Sequence, residues 1–282
     1  VAYRFFSTDK RKYIVADTPG HEEYTRNMAT GASTADVAII LVDAEQGVLT
    51  QTRRHSFIVS MVGVKNVLLA INKLDLVEYS QQVYDDIVSE YREFADSALN
   101  LESITPVPIS ALMGDNVVNK SENTPWFNGQ TIMQYLETVE VSNQKALQSF
   151  RMPVQWVNRP NSKFRGFSGL IASGEINTGD EVRILPGGNT SHIKSIVTWE
   201  GELPKAKVGK SVTITLEDEI DVSRGDIIAL SSDPCGEADQ FQARILWMNN
   251  DAMMPGRQYL LKSSTQSATL TLGKLKHRID VN

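Results

Sequence analysis

The sequence predicts an α/β region built on a mostly parallel sheet, followed by β-barrel sequence, and three observations carry that prediction. Between Val1 and about Val141, short apolar runs alternate with longer segments of helical character, the pattern of βαβ units. The runs are apolar on successive residues, as strands are when helices cover both faces of their sheet. From about Met152 the rhythm changes to short strands punctuated by Gly, Asn and Pro, the pattern of antiparallel sheet.

VAYRFF opens the chain in strand-like sequence, without an initiator Met or a leader-type segment, and is read as the start of a fragment. LKHRIDVN reads in the same way at the far end. The apolar runs YIVAD, VAIILVD, VLLAIN and VPIS are then predicted as sheet strands. Each ends in a polar residue, Asp17, Asp43, Asn72 or Ser110, and open α/β sheets bind ligands just beyond those carboxyl ends. Helices are predicted between them over His21 to Gly31, Thr50 to Val62, Ser80 to Leu99 and Gly129 to Glu140.

SNQKALQSF is read as the connector to the second region. There FSGLIASGEINTGDEVRILPGG, HIKSIVTW, KSVTITL and GDIIAL are expected as barrel strands, with Val212, Ile214 and Leu216 recurring at period two. Closure into a barrel hides the edges of many short strands. After DPCGEAD, the segments FQARILWM, RQYLLK and ATLTLGKL read as strands of a further, incomplete β unit. The expected domains are therefore 1–142, 143–235 and 236–282.

Composition narrows the function classes. A formal charge of -6 argues against a broad basic footprint for nucleic acid or anionic lipid. One cysteine, Cys235, forms no internal disulfide, and no apolar run approaches the ~20 residues needed to cross a bilayer. A cytoplasmic protein is expected. His55, His192 and His277 lack metal-ligand spacing, and Trp126 and Phe127 read as a packing plug. Trp156, Trp199 and Trp247 are expected in barrel cores or rims.

Three short motifs carry chemistry. In NKLD, Asp75 can accept the two hydrogens that guanine presents on its ring nitrogen and exocyclic amine, a pattern adenine lacks. Asn72 can tie that loop together and reach the base, and the methylene stem of Lys73 can cover the ring face. In DTPGH, Asp17 can hold a water bound to Mg²⁺, and the Gly20 amide can approach a terminal phosphate. In SAL, the Ala111 amide can donate to the guanine carbonyl while Ser110 braces the Asp75 loop. Each motif alone also reads as an ordinary surface turn. Their order at successive strand ends points to GTP or GDP.

This arrangement resembles the G domain of translation-factor-type GTPases, in which such a domain precedes two β-barrels. The resemblance implies a GTP-binding set of Asp17, Thr18, Pro19, Gly20, His21, Asn72, Lys73, Asp75, Ser110, Ala111 and Leu112. It also implies that His21 orients the attacking water. Neither GxxxxGK[ST] nor a switch Thr with its loop is present, so the P-loop and its phosphate contacts are expected upstream of Val1.

Longer strings, among them QTRRHSFI and DNVVNKSENTPWF, are most similar to the GTPase subunits of bacterial two-subunit sulfate adenylyltransferase. That resemblance implies a catalytic partner subunit in a heterodimer or larger complex. It further implies GTP hydrolysis coupled to adenylyl transfer from ATP to sulfate, and no nucleic-acid or membrane partner. A translation elongation factor carrying aminoacyl-tRNA is the alternative, as is a β-barrel interaction module with a silent G domain.

Overall fold

The structure, a computed structural model, describes residues 1–18, 25–141, 144–161 and 164–279. They fall into two compact units, one comprising Val1–Val141 with a short stretch from His277, the other Ser142–Lys276.

In the first unit, β1 (Ala2–Ser7) and β2 (Lys12–Asp17) form an antiparallel hairpin, whose turn is closed by the Thr8 amide donating to the Arg11 carbonyl at 2.9 Å. The YIVAD run was expected within the parallel sheet. Instead it pairs with β1 alone among the described residues, because so short a turn can join only antiparallel strands. Next comes α1 (Thr25–Ala32). A Cβ at Gly31 would sit 2.8 Å from Thr18 Cγ2, so this glycine lets the helix close onto the end of β2. Gly31 is accordingly a packing position inside the helix, whose end at Ala32 lies one residue beyond the predicted one. The expected start at His21 lies outside the described residues.

The parallel sheet follows as β3 (Val37–Asp43), α2 (Thr50–Met61), β4 (Asn66–Asn72), α3 (Gln81–Ala98), β5 (Ser103–Pro108) and α4 (Ile132–Thr138). Its strand order is β3-β4-β5, with β4 central and parallel to both neighbours. Val67 through Ile71 are fully buried, which explains why β4 reads as a continuous apolar run. Leu68 and Ala70 pack with Val107, Ile109 and Tyr135, and α4 adds Ile132, Leu136 and Val139 to that layer. Val67, Leu69 and Ile71 alternate to the opposite face. The buried Tyr91 hydroxyl of α3 donates to Ser56 Oγ of α2 at 2.8 Å, joining those two helices. Burial of Tyr84, whose hydroxyl donates to the Pro106 carbonyl of β5, pushes its pKa up to about 12.

Both longer helices match their predicted spans closely. Ser80 caps α3 by accepting from the Val83 amide, and Thr131 and Gln134 form a capping box on α4, so these helix starts are fixed by local side-chain chemistry.

The second unit contains β6 (Arg151–Pro153), β7 (Trp156–Asn161), β8 (Phe164–Leu170), β9 (Glu175–Asn177), β10 (Glu181–Leu185), β11 (Thr190–Thr198), β12 (Gly201–Leu203), β13 (Lys205–Lys207), β14 (Ser211–Leu216) and β15 (Ile227–Leu230). Their main sheet runs β6-β15-β10-β11-β14-β8-β7, with β12 beside β11, and β9 pairs with β13 separately. Backbone bonds from Arg151 N to Ser173 O at 3.1 Å and from Ala172 N to Arg151 O at 2.8 Å return the chain after β8 to β6, closing the barrel. Gly174 permits this closure: at φ +69° a Cβ would lie 2.5 Å from the Gln148 carbonyl oxygen. Val212, Ile214 and Leu216 all face the core as expected.

Beyond the barrel, β16 (Gln258–Ser263) and β17 (Gln266–Thr271) form one antiparallel hairpin. FQARILWM forms no strand. Its Phe241 and Ile245 remain exposed, and an apolar run becomes a strand only where a neighbour takes up its backbone hydrogen bonds. Of the two places expected for the tryptophans, cores or rims, only the core is excluded: Trp156 is 61% exposed, Trp199 93% and Trp247 38%.

Candidate nucleotide-binding site

Three parallel strands end side by side, and their register decides which residues meet. Asp43 on β3 is the direct neighbour of Asn72 on β4, and Ile71 pairs with Pro108 on β5. Beyond these pairs the chain leaves the sheet in two loops joined by hydrogen bonds. The Ala111 amide donates to Asn72 Oδ1 at 2.9 Å, and the Leu74 amide donates to the Ile109 carbonyl at 3.2 Å. The expected tie made by Asn72 is therefore a link between the NKLD and SAL loops. The Ala111 amide, expected to face a base carbonyl, is directed to Asn72 here.

Ser110 is fully buried, and its hydroxyl accepts from the Met113 amide at 3.2 Å. It thus braces its own loop directly and the Asp75 loop through its neighbours. Leu112 is 87% exposed and presents its side chain to solvent.

Lys73 turns out of the sheet in the left-handed region at φ 62°, and its Nζ pairs with Asp43 Oδ2 at 2.7 Å. Its side chain is thereby directed across the strand ends. The hydrogen bond from Lys73 holds the Asp43 carboxyl below its ordinary range, helped by the Glu45 amide and opposed by burial. The same hydrogen bond raises the Lys73 ammonium, with smaller contributions from the Asp43, Glu45 and Asp75 charges.

Asp75 stands in a 3-10 turn, Leu74–Val77, and is half-buried. Glu78 and Tyr79 immediately follow with φ of 53° and 54°. Left-handed backbone costs a non-glycine residue on the order of 1 kcal/mol, so three such residues around one carboxylate need support from elsewhere. Trp126 Nε1 donates to the Tyr79 carbonyl at 3.2 Å, and the Tyr79 hydroxyl donates to Asp115 Oδ2 at 2.8 Å. Asp115 Oδ1 accepts from Ser121 Oγ at 2.6 Å. Next to it, Asn116 is buried and donates through Nδ2 to the Pro108 carbonyl and Thr124 Oγ1.

The sequence reading did not single out Tyr79, Asp115 or Asn116. The local signal was GDN one residue after SAL, which by itself marks a turn. Trp126 and Phe127 are packing residues as expected: the Trp126 ring lies 5.2 Å from Tyr84, and Phe127 adds to the core beneath the sheet.

Asp17 ends β2, in a different sheet, and neither it nor Thr18, the next residue, makes a hydrogen bond to the loops above among the described residues. Pro19, Gly20 and His21 lie outside the described residues. No cluster of three or more His, Cys, Asp or Glu capable of holding a metal occurs among the described residues. Asp17 alone does not constitute a Mg²⁺ site, since such sites draw most ligands from water and phosphate. A cavity of about 330 Å³ lined by Arg92, Asp96, Leu99 and Glu102 lies at the start of β5, the opposite end of the strand from these loops, and has no part in the site.

Sulfate adenylyltransferase subunit 1 of Saccharophagus degradans is 55% identical over the whole of this chain, which covers 60% of that protein. The same-named subunit of Cellvibrio japonicus is 52% identical, again with 60% of its length covered. A bifunctional enzyme CysN/CysC of Rhodopirellula baltica is 55% identical over all of this chain and 44% of its own length. The chain thus spans less than two thirds of these relatives. Residues 240–282 match the family described as GTP-eEF1A C-terminal domain-like. Residues 1–151, carrying the NKLD and SAL loops and all of the parallel sheet, match the Elongation factor Tu GTP binding domain, and the chain belongs to that family.

Proposed function

We propose that this chain is part of a GTP-hydrolysing subunit which couples GTP hydrolysis to adenylyl transfer from ATP to sulfate on a separate catalytic subunit. Adenosine 5′-phosphosulfate and pyrophosphate are the products. The reading draws on the similarity to subunits named sulfate adenylyltransferase subunit 1. The observation that carries its guanine side is the tie between Asn72 and Ala111, which places the Asp75 turn beside the SAL loop at adjacent strand ends.

In this proposal Asp75 accepts from the guanine ring N–H and amine, Asn72 and the 110–112 loop frame the base, and Lys73 is fixed by Asp43. Asp17 and Thr18, with Pro19, Gly20 and His21, serve the phosphate end. Asp17 would hold a water on Mg²⁺, an ion that neutralises phosphate charge when bound, and His21 would orient the attacking water. These residues select and orient the nucleotide; sulfate chemistry belongs to the partner. Transfer of an adenylyl group to sulfate is uphill, so a second hydrolysis is a physically reasonable drive.

Residues 1–142, 143–235 and 236–282 are proposed as the G domain, a barrel and part of a second β unit, the last supported by the match over 240–282. No helix among the described residues is long and apolar enough to cross a membrane, and a cytoplasmic setting is part of the proposal. The test mixes the complete polypeptide with its catalytic subunit and measures sulfate-dependent adenylyl transfer with and without GTP. Stimulation by GTP, lost with a non-hydrolysable analogue, is expected. Equal rates without GTP would remove the coupling role.

A further inference from the structure

The 3-10 segment Leu74–Val77, which carries Asp75, begins at Lys73 with no side-chain cap. Its shape is imposed from one side by the sheet and from the other by a segment forty residues further along the chain. The sheet side is the pair of bonds Leu74 N to Ile109 O and Ala111 N to Asn72 Oδ1. The other side is formed by Tyr79, Asp115 and Trp126.

Tyr79 is held at both ends. Its carbonyl accepts from Trp126 Nε1, and its hydroxyl donates to Asp115 Oδ2. Its own amide donates back to the Leu74 carbonyl at 2.9 Å, closing the turn that contains Asp75. Asp115 is in turn anchored, by Ser121 Oγ and by its bridge to the buried Ser110. Asn116 fastens the whole segment to the end of β5 through the Pro108 carbonyl. The Asp75 charge is felt at the Tyr79 hydroxyl, whose pKa is raised first by the Asp115 hydrogen bond, then by burial, then by the Asp115 and Asp75 charges.

We infer that Tyr79, Asp115 and Trp126 are positioning residues that aim the Asp75 carboxylate at the ring N–H and 2-amino group of the base, and so set selectivity for guanine over hypoxanthine. The inference rests on the guanine reading proposed above. The physical argument is geometric. A carboxylate can take two parallel hydrogen bonds only when its plane is fixed relative to the base edge. A turn carrying Lys73, Glu78 and Tyr79 in left-handed backbone relaxes when its outer support is cut. Misaiming costs the guanine nucleotide two bonds to Asp75 but the inosine nucleotide one, since hypoxanthine lacks the amine.

The test uses the full-length protein and calorimetric affinities for GDP, IDP and ADP. Tyr79→Phe removes only the hydroxyl, and Trp126→Phe removes only the indole N–H. For each, GDP affinity is expected to fall by about tenfold, the size of a hydrogen bond to a charged group, while IDP affinity changes less, so the GDP/IDP ratio narrows. Asp115→Asn, which keeps the size of the side chain, should act in the same direction if either conservative variant is poorly folded. Unchanged affinities, or equal losses for GDP and IDP with a lowered melting temperature, would overturn the positioning role. Those results would leave a guanine-selective wild type. A wild type that binds GDP no better than ADP would remove the underlying guanine reading, and the positioning role with it.

Discussion

Lys73 and Asp43 show what a single residue contributes at the strand ends. Their contact spans β3 and β4 at 2.7 Å, yet the Lys73 side chain is half exposed, so its worth lies in orientation more than in stability. The Asp43 carboxyl is lowered from 3.8, so its contribution is present above that value and lost as pH falls through the folded-state pKa. The Lys73 ammonium is raised from 10.5, so its contribution is present below that value and lost only as pH rises through the higher folded-state pKa. Between these limits neither group titrates. The difference in unfolding midpoint between wild type and Asp43→Asn should therefore stay constant from about pH 5 to pH 9 and shrink only in stronger acid or in base strong enough to deprotonate Lys73. A difference that varies inside the neutral range, measured by denaturant titration at several pH values, would contradict the assignment. Asp75 was singled out in the sequence because NKLD follows a buried strand and a carboxylate there suits guanine. Tyr79 and Trp126 were not joined to it, because they meet across 47 positions and neither stands in a pattern that announces the contact.

At the scale of elements, β4 is the part whose sequence and structure correspond most directly. A strand covered on both faces must be apolar throughout, and residues 67–71 are fully buried. Leu69→Ala should destabilise the first unit by about 2–5 kcal/mol, the usual result of truncating a buried leucine. Urea unfolding followed by circular dichroism would measure it, and a loss near zero would mean that the strand is not core. The helix spans were equally readable, since capping residues such as Ser80 and Thr131 mark their starts locally. YIVAD misled for a physical reason: its composition suits any buried strand, whereas its partner is set by the short turn after β1. FQARILWM misled in the opposite sense, having strand composition but no pairing neighbour.

For the molecule as a whole, two compact units divide the labour that the sequence suggests, one carrying the parallel sheet and its loops and the other the closed barrel. Family membership rests on residues 1–151, the stretch in which the NKLD and SAL loops are joined. Everything proposed about sulfate activation depends on that stretch reading guanine with Asp75. Calorimetry on the complete polypeptide, wild type and Asp75→Asn, tests this most directly. Wild type should bind GDP at least a hundredfold more tightly than XDP or ADP, roughly two charge-assisted hydrogen bonds. Asp75→Asn should reverse the order of GDP and XDP, because an amide donates where the carboxylate accepted and xanthine presents a carbonyl there. Equal affinity of the wild type for GDP and ADP, or an unchanged GDP/XDP order in the variant, would contradict the account.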